Sequence, residues 1–248
     1  MRTKISIITV VYNAGRFLES TLQSVQNQTY SNIEYIVIDG GSSDNTLDLI
    51  DKYNSLITKC ISEPDDGLYS AMNKGLQLAS GTHLMFLNAG DIFNNNDVLS
   101  NIFKQGESLS DIYYGETIII NQEGVELGMR RLKAPEKLDW KSLKDGMLVC
   151  HQSFIVKREL CPEYNLSYKI AADFDWMINC LKQAQTIENT HLVISKFMDG
   201  GINKQNISKA LVERFKIMIK NYNFFLVVLN HFVIGYRFTV SYIKNGRF

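Results

Sequence analysis

Four stretches of the chain end an apolar run in polar, mostly acidic side chains. They are Thr9 with Tyr12 and Asn13, Asp39 with the loop through Asp44, Glu63 with Asp65-Asp66-Gly67, and Asn88 with Asp91. The run Leu84-Met85-Phe86-Leu87, for example, stops at Asn88, and Asp91 follows three residues later. One such ending reads as a turn, because Asn, Gly and Asp are turn residues. Four in succession describe a polar rim along one edge of a sheet, where open parallel sheets bind their ligands. A rim of that extent suits a nucleotide-sized ligand. Its acids would repel phosphates, and a divalent cation, Mg²⁺ or Mn²⁺, resolves the conflict. Such an ion takes oxygen from one or two carboxylates and the rest from substrate phosphates. Asp91 is the candidate ligand, with a simple turn as the alternative.

The elements that must hold this rim follow from periodicity. Residues 5–11, ISIITVV, are continuous and β-branched, as in a strand covered on both faces. NAGRFLESTLQSVQNQ then places Phe17, Leu18, Leu22 and Val25 at helical spacing. Ile33 to Ile38 is a second core strand, TLDLIDKYN a helix, TKCISE a short strand, GLYSAMNKGLQLAS a helix and THLMFLNAGD a fourth strand. This alternation means βαβ units and a mostly parallel sheet flanked by helices. After Asp111 the rhythm changes. A hairpin is expected around Asn121 to Gly124, then a strand in CHQSFIVKREL, a helix in AADFDWMINCLKQA and a last strand in HLVISKF.

The 248 residues, 45% hydrophobic and 21% charged, have the composition of an ordinary folded domain. Formal net charge is zero, so nucleic-acid binding has no support. Four scattered cysteines without a CxxC pair suit a reducing compartment and no cysteine zinc site. The N-terminal MRTKISIITVVYN lacks a small-residue cleavage site and reads as a core strand rather than a signal peptide. Charge is uneven: from Ile202 onward there are eight basic residues and one acid, Glu213. The same tail carries YNFFLVVLNHFVIGYRF, whose apolar stretch is shorter than the ~20 residues of a membrane-spanning helix. A basic, aromatic-rich segment suits a helix lying in a membrane surface; packing on the domain is the compatible alternative. The expected organisation is one α/β domain over 1–203 and a basic helical appendage over 204–248.

The first strand is followed by VVYNAG, so the GxGxxG fingerprint of dinucleotide binding is absent, as is the P-loop GxxxxGK[ST]. A different set is present. SIITVVYN, IVIDGGSSDNT, EPDDGLYSAMNKGLQLASG, LMFLNAGD and AADFDWM, in this order, resemble the family 2 inverting glycosyltransferases, and more narrowly the bacterial members that build capsule, exopolysaccharide and O-antigen repeat units. The resemblance spans roughly residues 4 to 203. It implies a GT-A fold, a nucleotide-diphospho-sugar donor with a lean to UDP, a divalent metal and a glycan or polyprenyl-diphosphate-linked acceptor at the inner face of the cytoplasmic membrane.

By the same resemblance, Thr9, Tyr12 and Asn13 lie at the nucleoside pocket, with the Tyr12 ring placed to stack on the base. Asp39 matches the acid that bonds the base, and Asp44 is the second acid of its loop. Asp66, Asn73 and Lys74 match the element beside the diphosphate and sugar, and His151-Gln152 a pair facing the site. Asp91 matches the last acid of the metal-binding D-x-D and Asp173 the general base, with Asp175 its rival. Gly200-Gly201 resembles a pair closing over the pocket. The chain departs from the pattern in three places. Asn88 stands for the first acid of D-x-D, Ala172 for the Glu before the base, and Ser70 for a frequent Asp. Two rival readings keep a related sheet: a sugar-nucleotide nucleotidyltransferase, for which Arg16 is a poor match to the required loop, and a non-catalytic nucleotide-sugar-binding subunit.

Overall fold

A computed structural model describes residues 3–104, 108–200 and 206–230. Gly201, the first residues of the basic tail and everything after Asn230, including half of the aromatic stretch, lie outside the described residues. The order is β1 (Ile5–Val11), α1 (Gly15–Gln26), β2 (Ile33–Asp39), α2 (Thr46–Lys52), β3 (Lys59–Ser62), α3 (Leu68–Leu78), β4 (His83–Phe86), β5 (Ile92–Phe93), α4 (Val98–Ile102), β6 (Ile112–Ile120), β7 (Glu126–Met129), β8 (Phe154–Lys157), α5 (Ala172–Gln183), β9 (Ile187–Met198) and α6 (Ile207–Asn221).

The strands form one sheet in the order β3-β2-β1-β4-β8-β6-β9-β5, with β7 paired to β6. The first half, β3-β2-β1-β4, is parallel throughout. From β8 onward the sheet is mixed: β8 runs antiparallel to β4 and β6, whereas β6 and β9 run parallel. The β6–β7 hairpin turns at Asn121, whose N–H donates to Val125 O. Helices cover both faces. All seven residues of β1 are buried. Ile8 and Val10 face a cluster that includes Met72 of α3, Trp176 of α5 and Ile217 of α6. Ile5, Ile7 and Val11 face Leu18 and Leu22 of α1 and Leu99 of α4. Each fully buried Ile or Leu contributes roughly 1.5–3 kcal/mol, which is why an unbroken apolar run became a central strand.

Helix α6 packs on this domain. Ile217 and Met218 enter the first cluster, together with Val227. Glu213, the one acid of the basic tail, is buried and accepts the backbone N–H groups of Lys169, Ile170 and Ala171 at 2.9, 2.8 and 3.0 Å. It thereby ties α6 to the loop that leads into α5. Among the described residues no helix is long and apolar enough to cross a membrane.

Candidate active site

A cleft of about 900 Å³ opens at the carboxyl ends of β1 to β4. Val10, Val11, Tyr12 and Gly40 line it, with Asp65 and the first turn of α3. Asn88, Ala89, Asp91, His151 and Gln152 line it too, as do Asp173, Arg130, Lys169 and Arg214. The lining comes from two parts of the chain. The parallel βα units supply one; the mixed strands, the α5 entry and α6 supply the other.

The Tyr12 ring is 66% exposed. A Cβ on Gly40 would stand 3.4 Å from Tyr12 Cδ2 and 3.6 Å from Asp65 Oδ2, so glycine keeps the space between these side chains open. Around this pocket two loops are tied together. Asp39, 0% exposed, accepts from the N–H groups of Gly41 and Ser42, and from the hydroxyls of Ser42 and Ser62. Asn13, at φ 47°, donates its N–H to Ser42 Oγ at 2.8 Å and accepts from Ser43 N–H at 2.9 Å. Asp44 accepts from Gly15 N–H, Thr46 N–H and the Thr46 hydroxyl. These bonds, the Thr46 hydroxyl first, hold its carboxyl below the usual range.

Asp91 is 4% exposed. Its Oδ2 accepts from Gln152 Nε2 at 2.7 Å and its Oδ1 from Met198 N–H at 2.9 Å. Burial pushes its pKa up to about 7, against the opposing pull of those two donors. The Asn88–Asp91 turn closes with Asp91 N–H on Asn88 O, needs Gly90 at φ 95°, and is braced by Thr21, which accepts from Gly90 N–H and donates to Asp91 O. The turn and the cleft-lining acid therefore coexist. Asn88 Oδ1 is buried with no hydrogen-bond partner among the described residues. His151 stacks on Phe86 with centroids 5.1 Å apart and shares a hydrogen bond of 2.8 Å between Nε2 and the Tyr164 hydroxyl. Burial lowers its pKa to about 4, so the imidazole is neutral at pH 7.

Asp173 occupies the first turn of α5. Its Oδ1 accepts from Phe174 N–H at 2.9 Å and from the Tyr69 hydroxyl at 3.3 Å. Tyr69 is kept protonated by burial and then by the Asp173 charge, and its one proton is shared between Ile170 O at 2.8 Å and Asp173 Oδ1 at 3.3 Å. The rival Asp175 is buried on another side, where Asn179 Nδ2 donates to it at 3.3 Å and Lys220 Nζ lies 3.8 Å away.

Seven of the sequence-predicted residues meet in the cleft: Tyr12, Asn88, Asp91, His151, Gln152, Asp173 and Gly200. Seven others do not line it. Thr9 is turned into the core, donating to Leu87 O and bonded to the Tyr35 hydroxyl. Asn13, Asp39 and Asp44 spend their side chains on the loops described above. Asp66 is exposed, and its neighbour Asp65 takes the cleft position. Asn73 clamps the Tyr164 backbone through both amide atoms, at 3.1 and 2.7 Å. Lys74 does not line the cleft; its ammonium is paired with Glu63 and with the cleft-lining Asp65, each at 2.6 Å. Sequence reasoning also missed Arg130, Lys169 and Arg214. Only the basic bias of the tail hinted at the last.

Among the described residues no group of three or more His, Cys, Asp and Glu could hold a metal ion. The oxygens present nevertheless fit a cation carried in on substrate phosphates. Asn88 Oδ1 has no competing donor, and each Asp91 oxygen retains a lone pair beside its one donor.

The comparisons agree with this architecture. The fold matches a crystal structure of S. aureus TarS 1–349 with a TM-score of 0.67, at 17% identity, over 98% of this chain and 75% of that one. It also matches the mannosyltransferase PcManGT from Pyrobaculum calidifontis in complex with GDP-Man and Mn²⁺, with a TM-score of 0.63 at 16% identity, over 90% of this chain and 66% of that one. The fold is therefore GT-A. In sequence the chain is 30% identical over 219 residues to a PGL/p-HBAD biosynthesis glycosyltransferase of Mycobacterium bovis, covering 84% of this chain and 82% of the relative. It is 27% identical to an uncharacterized glycosyltransferase of Haemophilus influenzae, over 92% and 96% of the two chains. The model of Glycosyl transferase family 2 matches residues 6–164, the span that carries the strand ends with Asn88, Asp91, His151 and Gln152. With fold, cleft and sequence in agreement, this chain belongs to glycosyl transferase family 2.

Proposed function

We propose that the protein is an inverting transferase that moves a sugar from a nucleotide-diphospho-sugar to a glycan or polyprenyl-diphosphate-linked acceptor in bacterial surface polysaccharide synthesis. The observation that carries this reading is that Tyr12 and Asp173, from opposite halves of the chain, line one cleft. The base stacks on Tyr12 beside Gly40 and Asp65. The diphosphate lies over the first turn of α3, whose N–H groups suit an anion. Asp173 takes the proton of the acceptor hydroxyl as that oxygen attacks the anomeric carbon, and the nucleoside diphosphate leaves from the opposite face. Phe174 N–H, with a longer contact from the Tyr69 hydroxyl that also donates to Ile170 O, holds one oxygen of Asp173 and leaves the other for the proton. Asn88 and Asp91 would hold a divalent cation, Mn²⁺ or Mg²⁺. When bound, it offsets charge on the leaving diphosphate. A lean to UDP is supported by TarS complexes with UDP-GlcNAc and with UDP among the structural neighbours.

Tyr12→Ala should weaken donor binding about tenfold or more, since stacking on an aromatic ring contributes roughly 1–3 kcal/mol per base. Calorimetry against the preferred nucleotide measures this, and unchanged affinity would place the base elsewhere. The reading as a whole is tested by a thermal-shift screen of nucleoside diphosphates and nucleotide sugars with Mn²⁺, because a ligand of the folded form raises its melting point. A rise with at least one pair is expected; no rise with any would count against it.

The protein is further proposed to sit peripherally on the inner face of the cytoplasmic membrane. Phe224, Phe225, Leu226 and Leu229 are exposed beyond α6, whose Lys209, Lys216 and Lys220 are also exposed. Apolar side chains beside basic ones suit an anionic lipid surface. Replacing Phe224 and Phe225 together by Ser should reduce co-sedimentation with phosphatidylglycerol vesicles about tenfold or more. Equal sedimentation of variant and parent would remove this surface from the account.

A further inference from the structure

The cleft carries three cations for which the transferase reading gives no role. Arg130 follows β7, Lys169 precedes α5 and Arg214 lies on α6, and all three line the cleft with Asp173. Among the described residues Arg130 donates to backbone carbonyls: its Nη2 to Met147 O at 2.6 Å, and its Nη1 to Leu148 O at 3.1 Å and Leu132 O at 3.3 Å. Arg214 Nε is buried with no hydrogen-bond partner among the described residues. Neither guanidinium forms an ion pair among those residues. The two charges also oppose each other: burial lowers the pKa of Arg130, Cys150 raises it, and the nearby Arg214 charge lowers it again, with smaller raising effects from Glu116 and Asp173. Two partly buried guanidiniums with no carboxylate in ion-pair contact gain from an anion that joins them. Guanidinium forks match phosphate oxygens in pairs.

We propose that Arg130, Lys169 and Arg214 form an anion subsite that takes the phosphate or diphosphate of a lipid-linked acceptor. The inference rests on the transferase reading and deepens it by naming the acceptor's anionic group and its binding residues. Three observations favour the acceptor over the donor. The charges of Arg214 and Asp173 both act on Arg130, whereas the neighbours of Gly40 are Tyr12 and Asp65. Ile119, Met147 and Phe197 line the cleft as well and offer an apolar wall to an isoprenoid chain. Arg214 lies on the helix that leads to the exposed Phe224 and Phe225, so the subsite and the proposed lipid-facing surface share one element.

The test measures binding of farnesyl diphosphate, farnesol and UDP to the full chain by calorimetry, without metal for the two farnesyl compounds and with Mn²⁺ for UDP. Wild type should bind farnesyl diphosphate and not farnesol. Arg130→Gln and Arg214→Gln should each weaken farnesyl diphosphate by about tenfold or more and leave UDP within about twofold. Thermal melts confirm folding, and Arg214→Gln carries the test where Arg130→Gln unfolds, because its side chain braces no backbone. Loss of UDP affinity equal to that of farnesyl diphosphate would overturn the proposal and give the cations to the donor diphosphate. So would farnesyl diphosphate binding that is absent, or that both variants retain. If wild type binds farnesyl diphosphate through these arginines but binds no nucleotide, the subsite stands and the transferase reading fails.

Discussion

Asp173→Asn should retain donor affinity and lose sugar transfer by roughly 10²–10⁴-fold, the range a positioned general base supplies. The amide keeps the shape of the side chain and one acceptor oxygen, so the bonds from Phe174 N–H and the Tyr69 hydroxyl can persist. What disappears is the basic oxygen. Steady-state kinetics with calorimetry of the donor separate the two effects: kcat falls and the donor Kd stays. The companion variant Asp175→Asn should change transfer little, because Asp175 faces Asn179 and Lys220 rather than the cleft. If Asp175→Asn abolished transfer and Asp173→Asn did not, the base would be misassigned.

Glu213→Ala should destabilise the fold by about 3 kcal/mol, since it strips three backbone N–H groups of their only common acceptor. It should also lower kcat about 10²-fold while donor affinity holds, because Lys169, Ile170 and Ala171 lead directly into the turn that aims Asp173. A merely structural role would lower the melting temperature and leave the kcat of the folded fraction unchanged. Glu213→Gln, which keeps one acceptor oxygen, should recover part of both losses. The pH dependence has a definite sign. Burial raises the Glu213 pKa, and the three N–H donors outweigh it, so the folded value lies below the unfolded one of roughly 4.3. Its stabilisation is therefore complete above that value and is lost as pH falls through the lowered folded pKa. Chemical denaturation between neutral pH and pH 3 should show a smaller acid-side loss in Glu213→Ala than in wild type, the remainder coming from other carboxylates with lowered pKa such as Asp44.

Much of the fold was legible because the parallel half obeys local rules. A continuous β-branched run such as Ile5–Val11 can only be a strand covered twice, and the helices after it show their apolar spacing. The mixed half was harder. The two residues of β5 are too short to announce themselves, and their pairing with β9 is a contact between residues about a hundred positions apart. Glu213 illustrates the same limit: in the sequence it is a lone acid in a basic tail, and only the fold brings it to the α5 entry.

In the site, residue type was easier to read than direction. Asp65 and Asp66 are indistinguishable as text, yet one turns inward and the other to solvent. Lys74 has the right charge beside the cleft, and two nearby carboxylates capture it first. Thr9 falls on the opposite face of β1 from the Ile8 and Val10 set, a consequence of strand alternation. The cations of the cleft come from three separated segments, so no spacing links them.

The central claim is that one cleft holds a nucleotide sugar at Tyr12 and a base at Asp173. Its most direct measurement is release of nucleoside diphosphate from a panel of nucleotide sugars with Mn²⁺, compared across wild type, Tyr12→Ala and Asp173→Asn. The account predicts release from at least one donor by wild type, a higher donor requirement for Tyr12→Ala, and release lowered by roughly 10²-fold or more for Asp173→Asn at saturating donor. Release from no donor, or equal release by wild type and Asp173→Asn, would contradict it.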